Sequence, residues 1–210
     1  MIRILVVDDH TVVREGIKQI LAGQEDMFVE DEAESGQEAL NKLTKKNYDL
    51  ILLDISMPGR SGLEILEEIR LKQPKLPVLI LSMHPEEQYA VRTLRAGAAG
   101  YLTKASAPQE LISAIRKVAR GGKYVTASLA EKLAFELDAG AEKPRHEKLS
   151  NREYQVMLML ASGQSVTEVA EELCLSAKTI TTYRTRILEK MDMKKNAELT
   201  LYSIKNNLIF

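Results

Sequence analysis

The sequence predicts an α/β domain with a parallel sheet, followed by a small all-helical domain. In residues 1–122, short apolar runs alternate with segments whose apolar residues recur at helical spacing. This alternation is typical of βαβ units, in which helices cover both faces of a parallel sheet. In residues 148–210, capping residues and helical apolar spacing predict consecutive helices. Residues 123–147 are predicted to form a linker that is partly helical.

Composition predicts a cytoplasmic globular protein. The chain is 45% hydrophobic and 28% charged, and no apolar run approaches the roughly 20 residues of a membrane span. The first apolar run leads straight into two acids, a pattern unlike a signal peptide, so we expect no membrane partner. The single cysteine, Cys174, allows neither an internal disulfide nor a thiolate metal cluster, and we expect it in the core.

Five strands are predicted in the first domain, at residues 4–7, 28–33, 50–53, 78–81 and 100–102. The second strand, within FVEDEAE, carries four acids and is expected near an edge of the sheet. Polar residues follow the other four strands at their carboxyl ends: Asp8, Asp9, Asp54, Ser82 and Lys104. Because the carboxyl ends of parallel strands meet at one edge of a sheet, we expect these side chains to converge.

The residue types of this cluster favour a metal ion and a phosphoryl group. Close carboxylates repel one another unless a cation lies among them, and Mg²⁺ prefers oxygen ligands together with phosphate. With the metal bound, one carboxylate can act as a nucleophile toward a phosphoryl group. The ammonium of Lys104 would neutralise the phosphoryl oxygens, and the Ser82 hydroxyl would donate a hydrogen bond to one of them.

The motifs VVDDH, LLDISMPG, LS and GYLTK have the order and spacing found in the receiver domain of two-component response regulators, which residues 1–122 resemble. The resemblance implies a flavodoxin-like, doubly wound sheet of five parallel strands. It implies that Asp54 accepts the phosphoryl group from a sensor histidine kinase. The implied Mg²⁺ ligands are Asp9, Asp54 and the backbone carbonyl of Ser56, with Asp8 in support through water. The implied switch and phosphate-binding residues are Ser82, Tyr101 and Lys104.

Three residues near the cluster are open to more than one interpretation. Many receivers have proline after the lysine, and here that residue is Ala105, so the geometry of the Lys104–Ala105 peptide is open. His84 lies two residues after Ser82, where the family tunes the lifetime of the phosphoryl group, or it is an exposed loop residue. His10 is expected to begin the first helix rather than to take part in the chemistry.

The second domain is predicted to contain a helix-turn-helix. SNRE at 150–153 is a capping box, and the helix that it begins ends at Gly163. A short helix, a three-residue turn and a longer helix capped by Ser176 follow, the last running through about residue 191. Ahead of this domain, residues 126–137 have helical spacing and residues 139–147 are predicted to be a flexible tether.

The longer helix has two contrasting faces. Its apolar face carries Ile180, Tyr183, Ile187, Leu188 and Met191. The opposite face carries Lys178, Thr182, Thr185 and Glu189, flanked by Thr181 and Arg186. Short hydroxyls framed by basic residues suit a DNA major groove, although a solvated amphipathic helix has the same pattern. Residues 176–195 hold six basic and two acidic residues, which is a further hint of nucleic acid.

LSNRE, EVAEEL and LSAKTITTYRTRILEKM resemble the C-terminal domain of NarL/FixJ-type regulators, the LuxR-type helix-turn-helix. The resemblance implies a small all-α domain of four helices, with the third for recognition and the last often a dimer contact. It implies double-stranded DNA with inverted repeats as the partner, and a homodimer on activation. The implied phosphate contacts are Lys178, Thr179, Tyr183, Arg186 and Lys190. The residues implied to face bases are Thr181, Thr182 and Thr185.

Together, the two resemblances predict a transcription factor that is switched by phosphorylation of Asp54. It would not be an enzyme, apart from catalysing its own phosphoryl transfer and dephosphorylation. The rival interpretation is a phosphohydrolase of the haloacid-dehalogenase type, which needs a second acid two residues after its nucleophile. That position is Ser56, and the chain has no cap insertion to select a substrate. A regulator that ignores phosphate is disfavoured because all the acceptor groups are present.

Overall fold

The computed structural model describes residues 1–131 and 144–209. Predictions for residues 132–143, which include the later part of the 126–137 helix and the first part of the tether, lie outside the described residues. The chain divides into two compact units, Met1–Leu133 and Ala134–Phe210. Among the described residues, no helix has the length and apolar character needed to cross a membrane.

Strands and helices alternate in the first unit as far as residue 119. They are β1 (Ile2–Val7), α1 (Thr11–Ala22), β2 (Met27–Ala33), α2 (Gly36–Leu43), β3 (Leu50–Leu53), α3 (Gly62–Lys72), β4 (Val78–Ser82), α4 (Glu86–Arg95), β5 (Gly100–Thr103) and α5 (Pro108–Ala119). The sheet is parallel, with the strand order β2-β1-β3-β4-β5. This doubly wound architecture confirms the predicted fold class, and the acidic strand β2 lies at an edge as predicted.

The inner strands form because their sequences are apolar without interruption. Side chains of β1 from residue 4 onward and all of β3 are at most 1% exposed, since helices cover both faces of the sheet. Each such Leu or Ile stabilises the fold by about 1.5–3 kcal/mol through burial. By contrast, the middle of β2 is only half-buried, which its acids tolerate.

The strand register brings the predicted site residues to one edge of the sheet. Val7 pairs with Leu53, so the residues that follow them, Asp8 and Asp54, are neighbours. The amide of Asp54 donates to the Val7 carbonyl at 2.9 Å, and the amide of Lys104 donates to the Ser82 carbonyl at 2.7 Å. Within the described residues every peptide bond is trans, including the Lys104–Ala105 bond that the sequence left open.

Beyond α5 the chain returns to the sheet and then starts another helix. The amide of Tyr124 donates to the Ala99 carbonyl at 2.8 Å, and Tyr124 forms a parallel bridge with Gly100 of β5, the edge strand. Residues 127–131 are helical, and the Thr126 hydroxyl caps them by accepting the amide of Leu129 at 3.2 Å. The same hydroxyl lies 2.9 Å from the carboxylate of Glu86, at the start of α4.

The described part of the second unit, residues 144–209, is all-helical. A 3₁₀ turn (Arg145–Lys148) precedes α6 (Asn151–Ala161), α7 (Val166–Glu172), α8 (Ala177–Met191) and α9 (Asn196–Lys205). Ser150 and Glu153 form the predicted capping box at the start of α6. Ser176 caps α8 by accepting the amide of Thr179 at 3.1 Å. The apolar face of α8 is buried at Ile180, Ile187, Leu188 and Met191, so α7 and α8 form the predicted helix-turn-helix.

Two predictions about this unit are wrong. Cys174 was expected in the core but is exposed. Its φ of 52° shows that it occupies the left-handed position of the turn between α7 and α8. The neighbouring Leu173 is buried instead. The described part of the predicted tether is not free. Arg145 donates to the Met191 carbonyl at 3.0 Å, and the ring of His146 lies 2.9 Å from the Tyr202 hydroxyl.

Candidate phosphoacceptor site and nucleic-acid interface

Lys104 joins two of the predicted carboxylates. Its Nζ lies 2.6 Å from Asp8 Oδ2 and 2.7 Å from Asp54 Oδ2, and all three side chains are at most 5% exposed. Two carboxylates buried this close together would repel each other strongly, so the ammonium between them stabilises both charges.

The charge states follow from burial and pairing. Burial raises the pKa of Asp54 above its ordinary value, and the Lys104 ammonium opposes that rise. Burial alone would lower the pKa of Lys104, but Asp54 and Asp8 outweigh it and the pKa of Lys104 is raised. Lys104 therefore carries its positive charge at neutral pH, which is the charge that phosphoryl oxygens require.

Asp9 supplies a buried oxygen that accepts no hydrogen bond from the described residues. This atom, Oδ1, lies 3.0 Å from His10 Nδ1, an ion-pair distance without hydrogen-bond geometry. Ligand atoms of Asp8, Asp9, His10 and Asp54 all lie within 4.8 Å of one another. A carboxylate oxygen without a donor, in a group rich in oxygen ligands, suits a hard divalent cation. The residues present therefore fit Mg²⁺.

The loop after Asp54 folds back over it. The amide of Ser56 donates to Asp54 Oδ1 at 3.2 Å. The Ser56 hydroxyl lies 2.8 Å from His84 Nε2, which ties this loop to the loop after β4. Gly62, at the start of α3, donates its amide to the Ile55 carbonyl at 2.9 Å. A Cβ at Gly62 would lie 2.0 Å from the Asp54 carbonyl oxygen, so only glycine allows α3 to start this close to the acceptor.

The predicted switch residues meet at His84. The Ser82 hydroxyl, 0% exposed, accepts the amide of His84 at 3.2 Å. The hydroxyl of Tyr101 donates to the His84 carbonyl at 2.8 Å, and this tyrosine is 1% exposed. Burial raises the pKa of Tyr101, so its hydroxyl remains a donor. The ring of His84 also packs 4.9 Å from that of Tyr89. His84 is therefore a packed residue, and its interpretation as an exposed loop residue is wrong.

Sequence reasoning missed Arg14 and gave His10 no part in the chemistry. Arg14 is 5% exposed and donates to the Asp8 carbonyl at 2.7 Å, which fixes the loop that carries the acids. Glu34 accepts from the same guanidinium at 2.7 Å. The signal was available, because Arg14 lies between apolar positions of α1 that face the core. His10 begins α1 as predicted, but its ring also contacts Asp8 and Asp9.

Most of the predicted DNA contacts lie together on one surface of α8. The exposed residues are Lys178, Thr181, Thr182, Thr185 and Arg186, and the half-buried ones are Thr179 and Tyr183. A shallow groove is lined by Ser176, Lys178, Thr179, Thr182, Tyr183 and Arg186. This surface, which we call the recognition face, contains the threonines and the basic residues that frame them.

Two basic residues of α8 have partners within the domain. Lys190 Nζ lies 2.6 Å from Glu153 Oε2, so its ammonium is held by α6 rather than directed to solvent alone. Arg184, for which the sequence suggested no role, donates to Asn196 Oδ1 at 2.7 Å and so ties α8 to the start of α9.

The fold and the two surfaces define a class of protein: a receiver domain joined to a helix-turn-helix DNA-binding domain. Comparison with family models agrees, since residues 4–116 match the response regulator receiver domain. Residues 147–203 match the bacterial regulatory proteins of the luxR family. The chain belongs to the response regulators of this type, which are transcriptional regulators of two-component systems.

Three similar proteins cover nearly the whole chain. Response regulator GacA of Pseudomonas protegens is 39% identical over 209 residues, covering 100% of this chain and 98% of GacA. Response regulator UvrY of Escherichia coli is 38% identical over 209 residues, covering 99% of this chain and 96% of UvrY. RcsB of Salmonella enterica serovar Typhimurium, solved bound to promoter rprA in the presence of the phosphomimetic BeF3⁻, is 26% identical. Its TM-score is 0.64, and the match covers 96% of this chain and 98% of that one.

Proposed function

We propose that Asp54 accepts a phosphoryl group from a sensor histidine kinase and that this modification controls the binding of DNA by the recognition face. The observation that carries the proposal is the buried contact of Lys104 with both Asp54 and Asp8. A nucleophilic carboxylate at Asp54 would then lie beside the positive charge of Lys104 in a largely buried site, which favours attack on phosphorus.

The residues of the site have separate tasks in the transfer. A carboxylate oxygen of Asp54 forms a bond to phosphorus while the bond from phosphorus to the donor breaks, and the leaving group keeps that electron pair. Lys104 neutralises the phosphoryl oxygens, and the Ser82 hydroxyl donates to one of them. Mg²⁺, when bound by Asp9, Asp54 and the Ser56 carbonyl with Asp8 in support, would supply further positive charge. Attack by water on the same phosphorus restores Asp54 and releases phosphate.

The switch would pass from Ser82 through the loop after β4. His84 contacts Ser56, Ser82 and Tyr101. If the Ser82 hydroxyl is drawn toward a phosphoryl group, the contacts of His84 with these residues change together.

Homodimerisation on inverted-repeat DNA is the output that we propose. RcsB supports this direction, because its structure with promoter DNA includes a phosphomimetic.

The test is chemical labelling of the purified protein. With Mg²⁺ and acetyl phosphate, the chain should gain one phosphoryl group that is stable to acid and labile to alkali and to hydroxylamine. Asp54→Ala should abolish the labelling, and so should removal of the metal. Asp26→Asn, which changes a half-buried acid paired with Arg116, is the matched control and should be labelled like the wild type. Undiminished labelling of Asp54→Ala would refute the assignment.

A further inference from the structure

The three exposed threonines of the recognition face, Thr181, Thr182 and Thr185, all turn their hydroxyls back to the helix. Thr181 Oγ1 lies 2.9 Å from the Ala177 carbonyl, Thr182 Oγ1 lies 3.0 Å from the Lys178 carbonyl, and Thr185 Oγ1 lies 3.1 Å from the Thr181 carbonyl. Each contact spans four residues of α8 and each threonine is exposed. The pattern is the i to i−4 back-bond of threonine in a helix.

The partner atoms determine where the hydroxyl protons lie. A carbonyl oxygen can only accept a hydrogen bond, so each threonine hydroxyl must be the donor and its one proton is used within the helix. Cβ of threonine carries only one other heavy atom, the Cγ2 methyl. Because the oxygen is held toward the backbone, the methyl group is the part of the side chain that points away from the helix. The threonines therefore present methyl groups and oxygen lone pairs, but no donor.

The base edges of the major groove differ in how they match such a surface. Guanine presents only acceptors there, N7 and O6, and so finds no donor on these threonines. Adenine and cytosine present amino donors, which a lone pair could accept, but thymine alone presents a methyl group, at C5, which packs against another methyl without any hydrogen bond. We infer that Thr181, Thr182 and Thr185 recognise thymine through methyl–methyl contact and not through their hydroxyls. This inference rests on the proposed placement of the recognition face in the major groove.

The alternative is that the hydroxyls turn outward when DNA binds. That would break one internal hydrogen bond per threonine before any contact with a base is gained. Donors are already available nearby from Lys178 and Arg186, which are exposed on the same surface. These two residues are suited to phosphate or guanine, so the threonines are not needed as donors.

The experiment pairs changes in the protein with changes in the DNA. A duplex would be selected from a random-sequence pool by the full-length protein treated with acetyl phosphate and Mg²⁺. Thymines in that duplex would then be replaced one at a time by deoxyuridine, which removes only the C5 methyl group. Thr182 and Thr185 would each be changed to Val, which keeps the methyl and removes the hydroxyl, and to Ser, which does the reverse. Thermal unfolding would verify that every variant is folded.

The expected result separates the two side-chain groups. Val variants should bind like the wild type, while each Ser variant should bind about fourfold more weakly, the effect of about one buried methylene-sized group. At least one deoxyuridine should weaken wild-type binding by a similar factor and have no effect on the matching Ser variant. If Val variants lose affinity and Ser variants keep it, or if no deoxyuridine affects the wild type, methyl recognition is refuted.

Three further variants separate this inference from the proposed function: Arg186→Ala, Thr182→Ala and Thr185→Ala. Arg186→Ala should weaken binding to every duplex, whichever group of the threonines is used. If Arg186→Ala, Thr182→Ala and Thr185→Ala all bind DNA like the wild type, the recognition face is wrong and the DNA-binding part of the proposed function fails with it. Thr44, an exposed threonine of the first unit whose hydroxyl also bonds a backbone carbonyl, is the control, and its Val and Ser variants should bind normally.

Discussion

At the scale of single residues, Glu153 combines a capping role that the sequence predicts with an ion pair that it does not. As the third residue of α6 it accepts the amide of Ser150 at 2.7 Å, which completes the predicted capping box. The same oxygen contacts Lys190 Nζ at 2.6 Å, and Glu153 is 3% exposed. The capping box was predictable because it is local in sequence. The pairing with Lys190, 37 positions away, depends on the packing of two helices and has no local signal.

This pair predicts a pH dependence of stability. Burial alone would raise the pKa of Glu153, but the hydrogen bonds from Lys190 and Ser150 outweigh it and lower the pKa below its ordinary value of 4.5. A carboxyl whose pKa is lowered by folding stabilises the native state above its ordinary pKa, and this contribution is lost as the pH falls through the folded-state pKa. The second unit should therefore lose stability on acidification below about pH 4.5.

Glu153→Gln should remove this contribution. We expect the free energy of unfolding of the second unit to fall by about 1.5–3 kcal/mol at pH 7, because two hydrogen bonds to a charged group are weakened. Its decrease between pH 7 and pH 3.5 should also be smaller than in the wild type. Urea unfolding, followed by the NMR signals of the Ile187 and Leu188 methyl groups, measures both. Glu189→Gln, an exposed change on α8, is the control, and parallel pH curves for Glu153→Gln and wild type would contradict the assignment.

At the scale of elements, the position of α3 depends on one glycine. Gly62 begins α3, and a Cβ there would lie 2.0 Å from the Asp54 carbonyl oxygen and 2.8 Å from Ile55 Cα. Both of those atoms are backbone, so neither can move aside as a flexible side chain would. Gly16, in the middle of α1, has open space instead, since a Cβ there would meet no atom within 4 Å.

The two glycines should respond to alanine in opposite directions. Gly62→Ala should destabilise the first unit by several kcal/mol, on the order of the largest single-site effects, and should reduce labelling of Asp54 because the acceptor backbone is displaced. Gly16→Ala should stabilise it by about 0.5–1 kcal/mol through helix propensity. Thermal unfolding and acetyl phosphate labelling of both variants test this. A Gly62→Ala protein with wild-type stability and labelling would show that α3 can begin elsewhere.

The elements also show which helices, strands and turns can be predicted from the sequence. β1 and β3 are predictable because uninterrupted apolar runs fit a strand buried on both faces, and α6 and α8 because caps mark their starts. The first three residues of the 3₁₀ turn, 145–147, were predicted as part of the tether, since their charged sequence has no helical pattern. The turn is ordered by contacts of Arg145 with Met191 and of His146 with Tyr202, which lie more than 40 positions away. Cys174 was misplaced because a cysteine is usually buried, whereas the turn requires a left-handed residue there.

At the scale of the whole molecule, the two domains imply that affinity for DNA depends on how many copies bind together. One helix-turn-helix buries little surface on DNA, so a single copy should bind weakly and with a strong dependence on salt. Two copies joined through their receivers would bind two half-sites as one unit. The second contact is then made at a high effective concentration, which raises affinity by about a hundredfold or more without any new type of contact.

The spacing of half-sites is therefore the sharpest test of phosphorylation as a dimerisation switch. On a duplex with two inverted half-sites one helical turn apart, treatment with acetyl phosphate should tighten binding of the full-length protein by about a hundredfold. Insertion of about five base pairs turns the second half-site to the opposite side of the DNA, so the gain should be lost. On a single half-site, treatment should have little effect. Asp54→Ala should bind every duplex like the untreated wild type.

The pattern of results distinguishes two ways in which the receiver can control DNA binding. If phosphorylation only joins two copies, the response must follow the spacing of the half-sites and vanish on a single one. If it instead uncovers the recognition face in each copy, the response must be equal on all three duplexes, because each copy then acts alone. Titration of each duplex at protein concentrations below and above the dimerisation range measures the difference. An equal response would overturn the dimerisation switch while leaving Asp54 as the phosphoacceptor, since only the output, and not the labelling chemistry, would have changed.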